Sequence, residues 1–365
     1  MRLQVYVDDP LVLVRGTQET RLRLMSLVLL WVAVLGYPVA WHKSDIGQNI
    51  RWIGAQFNLS HGNISVTIPQ DKVDEIHDTA LAFCRTATVS KKRLRSACGS
   101  LSFVSGLVCF LRPFCSSMWA ALSSKRESVQ IDASRNQGVP PSKRKKRLPD
   151  HMVFTKQIRH SLLWLLAFFS NQFGPLERHF PLQLNDQHSV LHISTDASPW
   201  GLGGVLVVDG KIESYFFDKL TSHDLRRFNG SIGVSDFNTI WEALAILVAI
   251  RTWRTRSHSF AELSVRSDSL SAIRALVKLA SPDPNLNLIA RELALDCAEL
   301  LEVPNVYEHT PGIANKLPDA LSRMHAPTPA LLPDVLRNIN RADLEVRDSS
   351  FWRSAKLPHG ASWSR

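Results

Sequence analysis

Hydrophobic and polar positions alternate in two different ways in the second half of the chain. Apolar residues at 190–193 and again at 205–208 flank a glycine-rich break, which predicts two β-strands. Further along, apolar side chains recur every three or four residues, which predicts a long helix with Asp236 as its N-cap; these positions are 237, 240, 241, 244, 247 and 248. A short strand over 263–267 and a helix over 269–279 are predicted to follow.

Four carboxylates occupy defined points of these elements. Asp196 falls on the first predicted strand, Glu242 on the long helix, Asp268 between the next strand and helix, and Asp319 at the start of a helix after Pro318. Each of them taken singly is typical of a helix cap or a solvated charge, because the chain has 33 acidic residues. Two divalent metal ions, however, need carboxylates that converge from separate elements, and their oxygens are then expected to lie roughly 4–8 Å apart.

The order of these carboxylates and their neighbours favours the metal site. The series runs Ser194-Thr195-Asp196-Ala197-Ser198, Glu242, Ser267-Asp268-Ser269, His309-Thr310-Pro311-Gly312 and Asp319-Ala320-Leu321-Ser322-Arg323. Across residues 188–326 it resembles the RNase H domain of retroelement reverse transcriptases. The resemblance implies an α/β fold, in which a mixed sheet is flanked by helices on both faces. Its first three strands would form an antiparallel meander, with Asp196 on the first.

The same resemblance implies roles for five side chains. Asp196, Glu242, Asp268 and Asp319 would bind two Mg²⁺ ions, with Mn²⁺ as a possible substitute, and His309 would assist hydrolysis or product release. The implied activity is that of a ribonuclease H, which cuts the RNA strand of RNA–DNA hybrids by two-metal phosphodiester hydrolysis. Two alternatives stay open: a catalytically inactive retroelement remnant that binds nucleic acid, and an RNase H-fold enzyme that transfers DNA strands.

Residues near position 1 carry a second resemblance. Tyr6-Val7-Asp8-Asp9 lies between apolar residues and resembles the polymerase palm hairpin, which carries two catalytic aspartates. Residues 35–44 resemble the palm segment that follows, and residues 50–54 resemble the primer-grip hairpin, so Trp52 and Gly54 are expected to contact nucleic acid. The nearest family is retrotransposon polymerase of the DIRS-like or gypsy-like kind.

In that family the fingers and the other palm aspartate lie upstream of the hairpin. Asp8 and Asp9 are therefore expected to be a polymerase remnant without RNA-directed DNA polymerase activity, in a truncated C-terminal part of a larger polyprotein. Pro10 is a further departure from the family, because proline removes a backbone donor and is poorly suited to a central strand.

The chain is predicted to have six parts. They are a partial reverse transcriptase palm with the primer-grip hairpin at 1–60, a helical thumb-like region at 61–122, a basic linker at 123–150, a connection at 151–187, the RNase H-like domain at 188–326 and a flexible tail at 327–365. Lys91, Lys92 and Arg93 of the thumb-like region are expected to contact the phosphates of template and primer. A formal net charge of +10 suits these polyanionic partners.

The cysteines and the apolar runs indicate where in the cell the protein is expected to be found. The five cysteines show no paired ligand spacing, which predicts reduced thiols and an intracellular location, cytoplasmic or nuclear. Residues 24–34 are apolar but fall short of the roughly 20 that span a membrane, so they are expected to form a buried palm helix and no membrane contact. Several tryptophans in apolar surroundings are expected to pack in the core: Trp31, Trp41, Trp52, Trp164, Trp241 and Trp253.

Overall fold

The computed structural model describes residues 2–6, 9–60, 63–123, 149–173, 176–181, 190–257, 262–300, 306–356 and 358. Asp8 and the basic run at 143–147 of the predicted linker lie outside these residues. The chain divides into two compact units, the first comprising Met1–Lys72 with Glu177–Gln183 and the second comprising Val73–Leu176 with Leu184–Arg365.

The first unit contains a hairpin, a helix and a small antiparallel sheet. Its elements, numbered in chain order through both units, are β1 (Arg2–Tyr6), β2 (Asp9–Leu13), α1 (Gln18–Val34), β3 (Asn49–Trp52), β4 (Ala55–Ser60), β5 (Asn63–Thr67) and β8 (Glu177–Pro181). β1 and β2 pair with Tyr6 opposite Asp9, and the four-stranded sheet has the order β3-β4-β5-β8. Ile53 and Gly54 join β3 to β4 with positive φ angles of 42° and 80°, the conformation of a tight two-residue hairpin turn.

Helix α1 departs from the sequence-based expectation. None of its residues is buried, and Leu22 and Trp31 are 62% and 71% exposed. The predicted buried helix over 24–34 is therefore wrong, and so is the prediction that Trp31 and Trp41 pack in the core, since Trp41 is also exposed. An apolar helix is buried only where other elements cover it, and the described residues cover α1 at most in part. No helix in the described part of the chain is long and apolar enough to cross a membrane.

The second unit joins a group of helices to a six-stranded mixed sheet. The helices before the sheet, with one small strand pair, are α2 (Gln70–Cys84), β6 (Thr88–Ser90), α3 (Lys91–Leu107), α4 (Arg112–Ser123), β7 (Met152–Phe154) and α5 (Arg159–Phe169). Aromatic side chains of α4 and α5 pack together, with the Phe114 and Trp164 ring centroids 5.9 Å apart. All five cysteines of the chain are free in the structure.

The sheet follows the topology expected from the carboxylate pattern. Its elements are β9 (Val190–Ala197), β10 (Gly201–Val208), β11 (Lys211–Lys219), α6 (Ser222–Phe228), α7 (Asn238–Ser257), β12 (Glu262–Ser267), α8 (Leu270–Lys278), α9 (Pro284–Leu300), β13 (Val306–His309), α10 (Lys316–Ser322) and β14 (Asn340–Arg341). The strand order is β13-β12-β9-β10-β11-β14, in which β9, β10 and β11 form an antiparallel meander and β12 and β13 run parallel to β9. The glycines that were read as a break belong to β10.

Helices cover both faces of this sheet. Gly203 and Gly204 are consecutive in β10, so substituents at their Cα atoms would point to opposite faces. A Cβ at Gly203 would meet the backbone of α10, whereas one at Gly204 would meet Phe216, whose ring packs 5.4 Å from that of Trp253 on α7. The α/β class and the mixed sheet flanked by helices are thus confirmed.

The segment after α10 differs from the flexible tail predicted for 327–365. Phe351 and Trp352 are each 1% exposed, and β14 pairs in parallel with β11 as the outermost strand of the sheet. Arg347 is buried and donates to the carboxylates of Asp218 and Asp224. This segment contains four prolines and no clear hydrophobic periodicity, yet it is ordered by buried ion pairs and by Phe351 and Trp352, which leave no periodic pattern in a sequence.

Candidate metal centre

The site is built around Asp196 at the end of the central strand β9. Neighbouring strands β10 and β12 pair with β9 on either side, so Asp196 is buried. Ser322 Oγ of α10 donates to Asp196 Oδ2 at 2.7 Å, and Asn315 Nδ2 lies 3.4 Å from Asp196 Oδ1. Asn315 Nδ2 also donates to the backbone oxygen of Thr195 at 2.9 Å. These contacts hold the carboxylate in one orientation.

Glu242 reaches the same point from α7. Its carboxylate is buried and accepts hydrogen bonds from the backbone of Ala197, 2.9 Å from Oε1, and from the Ser267 hydroxyl, 3.3 Å from Oε2. Glu242 therefore ties the ends of β9 and β12 together. The helix begins at Asn238, and Asp236 lies in the 3₁₀ turn Ser235–Phe237 ahead of it, so the predicted N-cap is wrong.

Asp268 completes a group of three. It lies between β12 and α8, where Ser269 caps the helix by accepting from the backbone of Ala272. Asp196, Glu242 and Asp268 each offer one carboxylate oxygen, and these oxygens lie within 4.8 Å of one another. Convergence of these three carboxylates within roughly 4–8 Å was the geometric expectation for a metal site, and the structure brings them together.

Asp319 is not a member of this group. Helix α10 begins at Lys316, so Asp319 lies in the first turn as its fourth residue, whereas the sequence predicted that Asp319 itself opens the helix. Its Oδ1 accepts from Arg323 Nε at 2.7 Å. Both side chains are about half exposed, at 44% for Asp319 and 50% for Arg323.

His309 is the last residue of β13, which lies beside β12. Its Nε2 donates to the backbone oxygen of Asp268 at 3.0 Å. The loop that follows approaches the same residue, because a Cβ at Gly312 would lie 3.4 Å from Asp268 Oδ2. The structure thus places His309 next to the backbone of Asp268, at the edge of the acidic group.

Two serines that were not predicted as site residues hold α10 in place. Ser322 donates to Asp196, and Ser198 Oγ donates in turn to the backbone oxygen of Ser322 at 2.7 Å. Ser322 follows Asp319 by three residues on α10, so the two share a helix face, and this spacing was a signal that the sequence contained. The contact of Ser198 with α10 had no such signal, since 124 positions separate the two residues.

Glycines in β10 allow α10 to lie directly on the sheet. A Cβ at Gly203 would be 2.5 Å from the Pro318 oxygen and 2.6 Å from the Ser322 nitrogen. A Cβ at Gly201 would be 2.9 Å from the Ser322 oxygen. No side chain fits at either position without a shift of the helix, so these glycines set the distance between α10 and the acidic group.

Burial gives the acidic group an unusual protonation state. Desolvation raises the pKa of Asp196 to about 7; the Ser322 hydrogen bond opposes this rise, and the charges of Asp268 and Asp319 add to it. Desolvation, followed by the charge of Asp196, raises the pKa of Glu242 well above its usual range. Two buried carboxylates that share one pocket resist ionising together unless a positive charge is supplied.

These residues fit a divalent cation. Carboxylate oxygens are the hard ligands that Mg²⁺ and Mn²⁺ prefer, and the three acidic residues present them from three separate elements at one point. A cation bound there would compensate the buried charges that are otherwise costly. Asp196, Glu242 and Asp268 would hold it, with Asp319 the nearest further carboxylate on α10.

The residues expected to contact nucleic acid lie in both units. Trp52 is partly buried and donates through Nε1 to the backbone oxygen of Asp9, and Gly54 lies in the β3-β4 turn. In the second unit, Lys91, Lys92 and Arg93 form the first turn of α3. Three positive charges at a helix N-terminus oppose the helix dipole, which is tolerated more easily where an anion is nearby.

Comparison with known proteins gives a likeness in fold. No protein-family model matches the sequence, and no curated protein matches it. Among solved structures, the chain is similar to RNase H1 of the halophilic archaeon Halobacterium salinarum NRC-1, with 21% identity over 37% of this chain and 96% of that chain and a TM-score of 0.29. It is also similar to RNase H1 LC11, isolated from compost, with 18% identity over 37% of this chain and 91% of that chain and a TM-score of 0.26.

A longer likeness involves a viral enzyme. The foamy viral protease-reverse transcriptase, solved in complex with an RNA/DNA hybrid, is 14% identical over 84% of this chain, with a TM-score of 0.36. The chain spans 35% of the length of that protein.

Proposed function

We propose that the sheet domain from β9 to β14 is a metal-dependent endonuclease that cuts the RNA strand of RNA–DNA hybrids. In this proposal it is the ribonuclease H part of a retrotransposon reverse transcriptase, DIRS-like or gypsy-like in kind. The observation that carries the proposal is the convergence of Asp196, Glu242 and Asp268 within 4.8 Å. Two of these three carboxylates are buried, an arrangement that is costly without a cation.

Each acidic side chain has a separate task in this proposal. Asp196, held by Ser322, and Glu242, held by the backbone of Ala197, are fixed ligands, because their hydrogen bonds leave them little freedom. Asp268 and Asp319 complete the ligand set from the adjoining elements. Bound divalent ions supply an activated water and stabilise the leaving oxygen. His309, hydrogen-bonded to the Asp268 backbone, assists hydrolysis or product release from the edge of the site.

Substrate selection is proposed to depend on the 2′-hydroxyl groups of the RNA strand rather than on base identity. Lys91, Lys92, Arg93, Trp52 and Gly54 are proposed to contact the nucleic-acid backbone, in keeping with the chain's net charge of +10. Such contacts fall off steeply with salt, because each neutralised phosphate releases counterions.

Cleavage of matched substrates tests this proposal. The full chain is incubated with Mg²⁺ and an end-labelled RNA–DNA hybrid, a DNA duplex or an RNA duplex of one sequence. We expect cleavage of the hybrid's RNA strand alone, abolished by EDTA and by Glu242→Gln. Glu345→Gln, on an exposed position of the segment after α10, is the matched control and should cut normally.

The same assay separates the alternatives. Cleavage or joining of duplex DNA at least as fast as hybrid cleavage would favour a DNA strand-transfer enzyme. Retained hybrid binding with no metal-dependent cleavage would favour an inactive nucleic-acid-binding remnant. Either result would reject the ribonuclease H assignment.

A further inference from the structure

Asp319 differs from the other three carboxylates in its partner. Of the four, it alone forms an ion pair within the part of the chain that the structure describes, with Arg323 Nε 2.7 Å from its Oδ1. Arg323 follows it by four residues on α10, so the pair runs along one helix face. Arg323 therefore pairs with Asp319, the one carboxylate of the four that does not belong to the three-residue acidic group.

The backbone of α10 cannot bring Asp319 closer to that group. Ser322 is bonded to Asp196, and Ser198 is bonded to the backbone oxygen of Ser322. The helix has room on the sheet because Gly201 and Gly203 carry no Cβ, and at Gly203 that atom would lie 2.5 Å from the Pro318 oxygen. With the helix held against the sheet by these contacts, Asp319 would approach the acidic group by rotating its side chain. That rotation would break its bond to Arg323.

Arg323 and Asp319 both act on the acidic group through their charges. The charge of Asp319 raises the pKa of Asp196, whereas the charge of Arg323 lowers it. Asp319 and Asp196 in turn raise the pKa of Arg323. Arg323 therefore supplies positive charge at a cluster of carboxylates, which is the electrostatic role that a divalent cation would fill.

We propose that Arg323 is a positioning residue that competes with a divalent cation for Asp319. In the metal-free protein it holds Asp319 beside the site, and it gives up this carboxylate when the cation binds. Arg323 thereby sets the cation concentration at which Asp319 joins the ligand set. The inference rests on the proposed metal-dependent function and adds a residue and a regulating step to it.

Calorimetric titration of Mg²⁺ into the metal-free full chain tests the competition without any measurement of activity. Exposed ion pairs contribute up to about 1 kcal/mol. Arg323→Gln should therefore tighten binding at the weaker of the two proposed Mg²⁺ sites by about two- to fivefold. Arg323→Lys keeps the charge and should stay within twofold of wild type. Arg337→Gln is the matched control, because Arg337 also pairs with an aspartate on its own turn, Asp334, yet lies outside the site. It should leave the affinity unchanged.

A double-variant cycle identifies Asp319 as the group in competition. In the background of Asp319→Asn, Arg323→Gln should no longer change Mg²⁺ affinity, because there is no carboxylate left to release. Thermal unfolding shows whether each variant is folded, and Arg323→Met is the substitute if Arg323→Gln is not. Unchanged or weaker Mg²⁺ binding by a folded Arg323→Gln protein would overturn the inference.

The proposed function and this inference fail in different ways. A wild-type chain that binds Mg²⁺ but cuts no hybrid contradicts the ribonuclease assignment, and the Arg323 comparison is then still decided by affinity. A wild-type chain that binds no Mg²⁺ overturns both.

Discussion

At the scale of single residues, the burial of Asp196 lowers the stability of the metal-free protein. Its carboxylate is buried at the end of β9, where desolvation raises its pKa to about 7 against an ordinary value of 3.8. The folded protein therefore retains a proton that the unfolded chain loses above about pH 4. As pH rises from about 4 to about 7, this difference lowers the free energy of unfolding of the metal-free protein.

Asp196→Asn should remove that penalty. In EDTA at pH 8 we expect the variant to be more stable than wild type by up to roughly 4 kcal/mol, because one pKa unit corresponds to about 1.4 kcal/mol. At pH 4 the two proteins should be similar. Urea unfolding at both pH values measures this, with Asp343→Asn at an exposed position as the control. A variant that is less stable than wild type at pH 8 would show that Asp196 is not held under electrostatic strain.

Asp268 and His309 should respond differently to substitution. Asp268→Asn keeps the shape but removes a negative charge from the three-oxygen group, so hybrid cleavage should fall by orders of magnitude at any millimolar Mg²⁺. His309→Ala removes a side chain bonded to the Asp268 backbone, and turnover should fall by about 10²–10⁴-fold with unchanged Mg²⁺ dependence. His151→Ala, in an exposed turn, controls for loss of a histidine. If Asp268→Asn cut the hybrid at the parental rate, the acidic group would not be the active site.

At the scale of elements, the sequence predicted a site of four carboxylates, of which the structure brings three together, and it did not predict how α10 is held. Asp196, Glu242 and Asp268 each sit on an element whose periodicity is visible, and the sheet topology brings their ends together. Gly203 looked like part of a break, because a glycine's role depends on the partner that approaches it. The same limit explains α1: its apolar composition predicted burial, while exposure depends on which elements cover it.

Gly203→Ala should displace α10 from the sheet. Its new Cβ would meet backbone atoms of Pro318 and Ser322 at 2.5 and 2.6 Å, and backbone cannot move aside as a flexible side chain can. We expect a loss of about 1–3 kcal/mol in the free energy of unfolding. Hybrid cleavage should fall by roughly 10²-fold, because Ser322 and Asp319 shift together. Gly99→Ala in α3, where a Cβ meets nothing within 4 Å, is the control and should be neutral or stabilising.

At the scale of the molecule, the segment after α10 joins parts of the second unit that are distant in sequence. Arg251 on α7, the helix that carries Glu242, donates to Glu292 and Asp296 on α9 and to the backbone oxygen of Phe351. Arg353 adds a further bond to Asp296.

The same region reaches the helices that precede the sheet. His160 on α5 donates to the backbone oxygen of Ser354 at 2.7 Å, and Arg291 on α9 donates to Ser117 on α4. The Arg291 bond therefore crosses the predicted boundary between the thumb-like region and the RNase H-like domain, and both partly buried contacts lie within one compact unit. Long-range hydrogen bonds of this kind have no local sequence signature, so neither this association nor the ordered tail was predictable.

Arg347 gives the most direct test of that ordered segment. Its side chain, 1% exposed, donates to Asp218 at 2.8 Å and to Asp224 at 3.0 Å, and the Asp224 side chain is fully buried. Arg347→Met would leave Asp224 as an unpaired buried charge, so we expect a loss of about 3–5 kcal/mol in the free energy of unfolding, measured with urea. Arg337→Met, which breaks an exposed pair with Asp334, should change it by less than about 1 kcal/mol. Adding Asp224→Asn to Arg347→Met should recover part of the loss, because the unpaired charge is gone. If Arg347→Met were as mild as Arg337→Met, the segment after α10 would be the loosely held tail that its composition suggests.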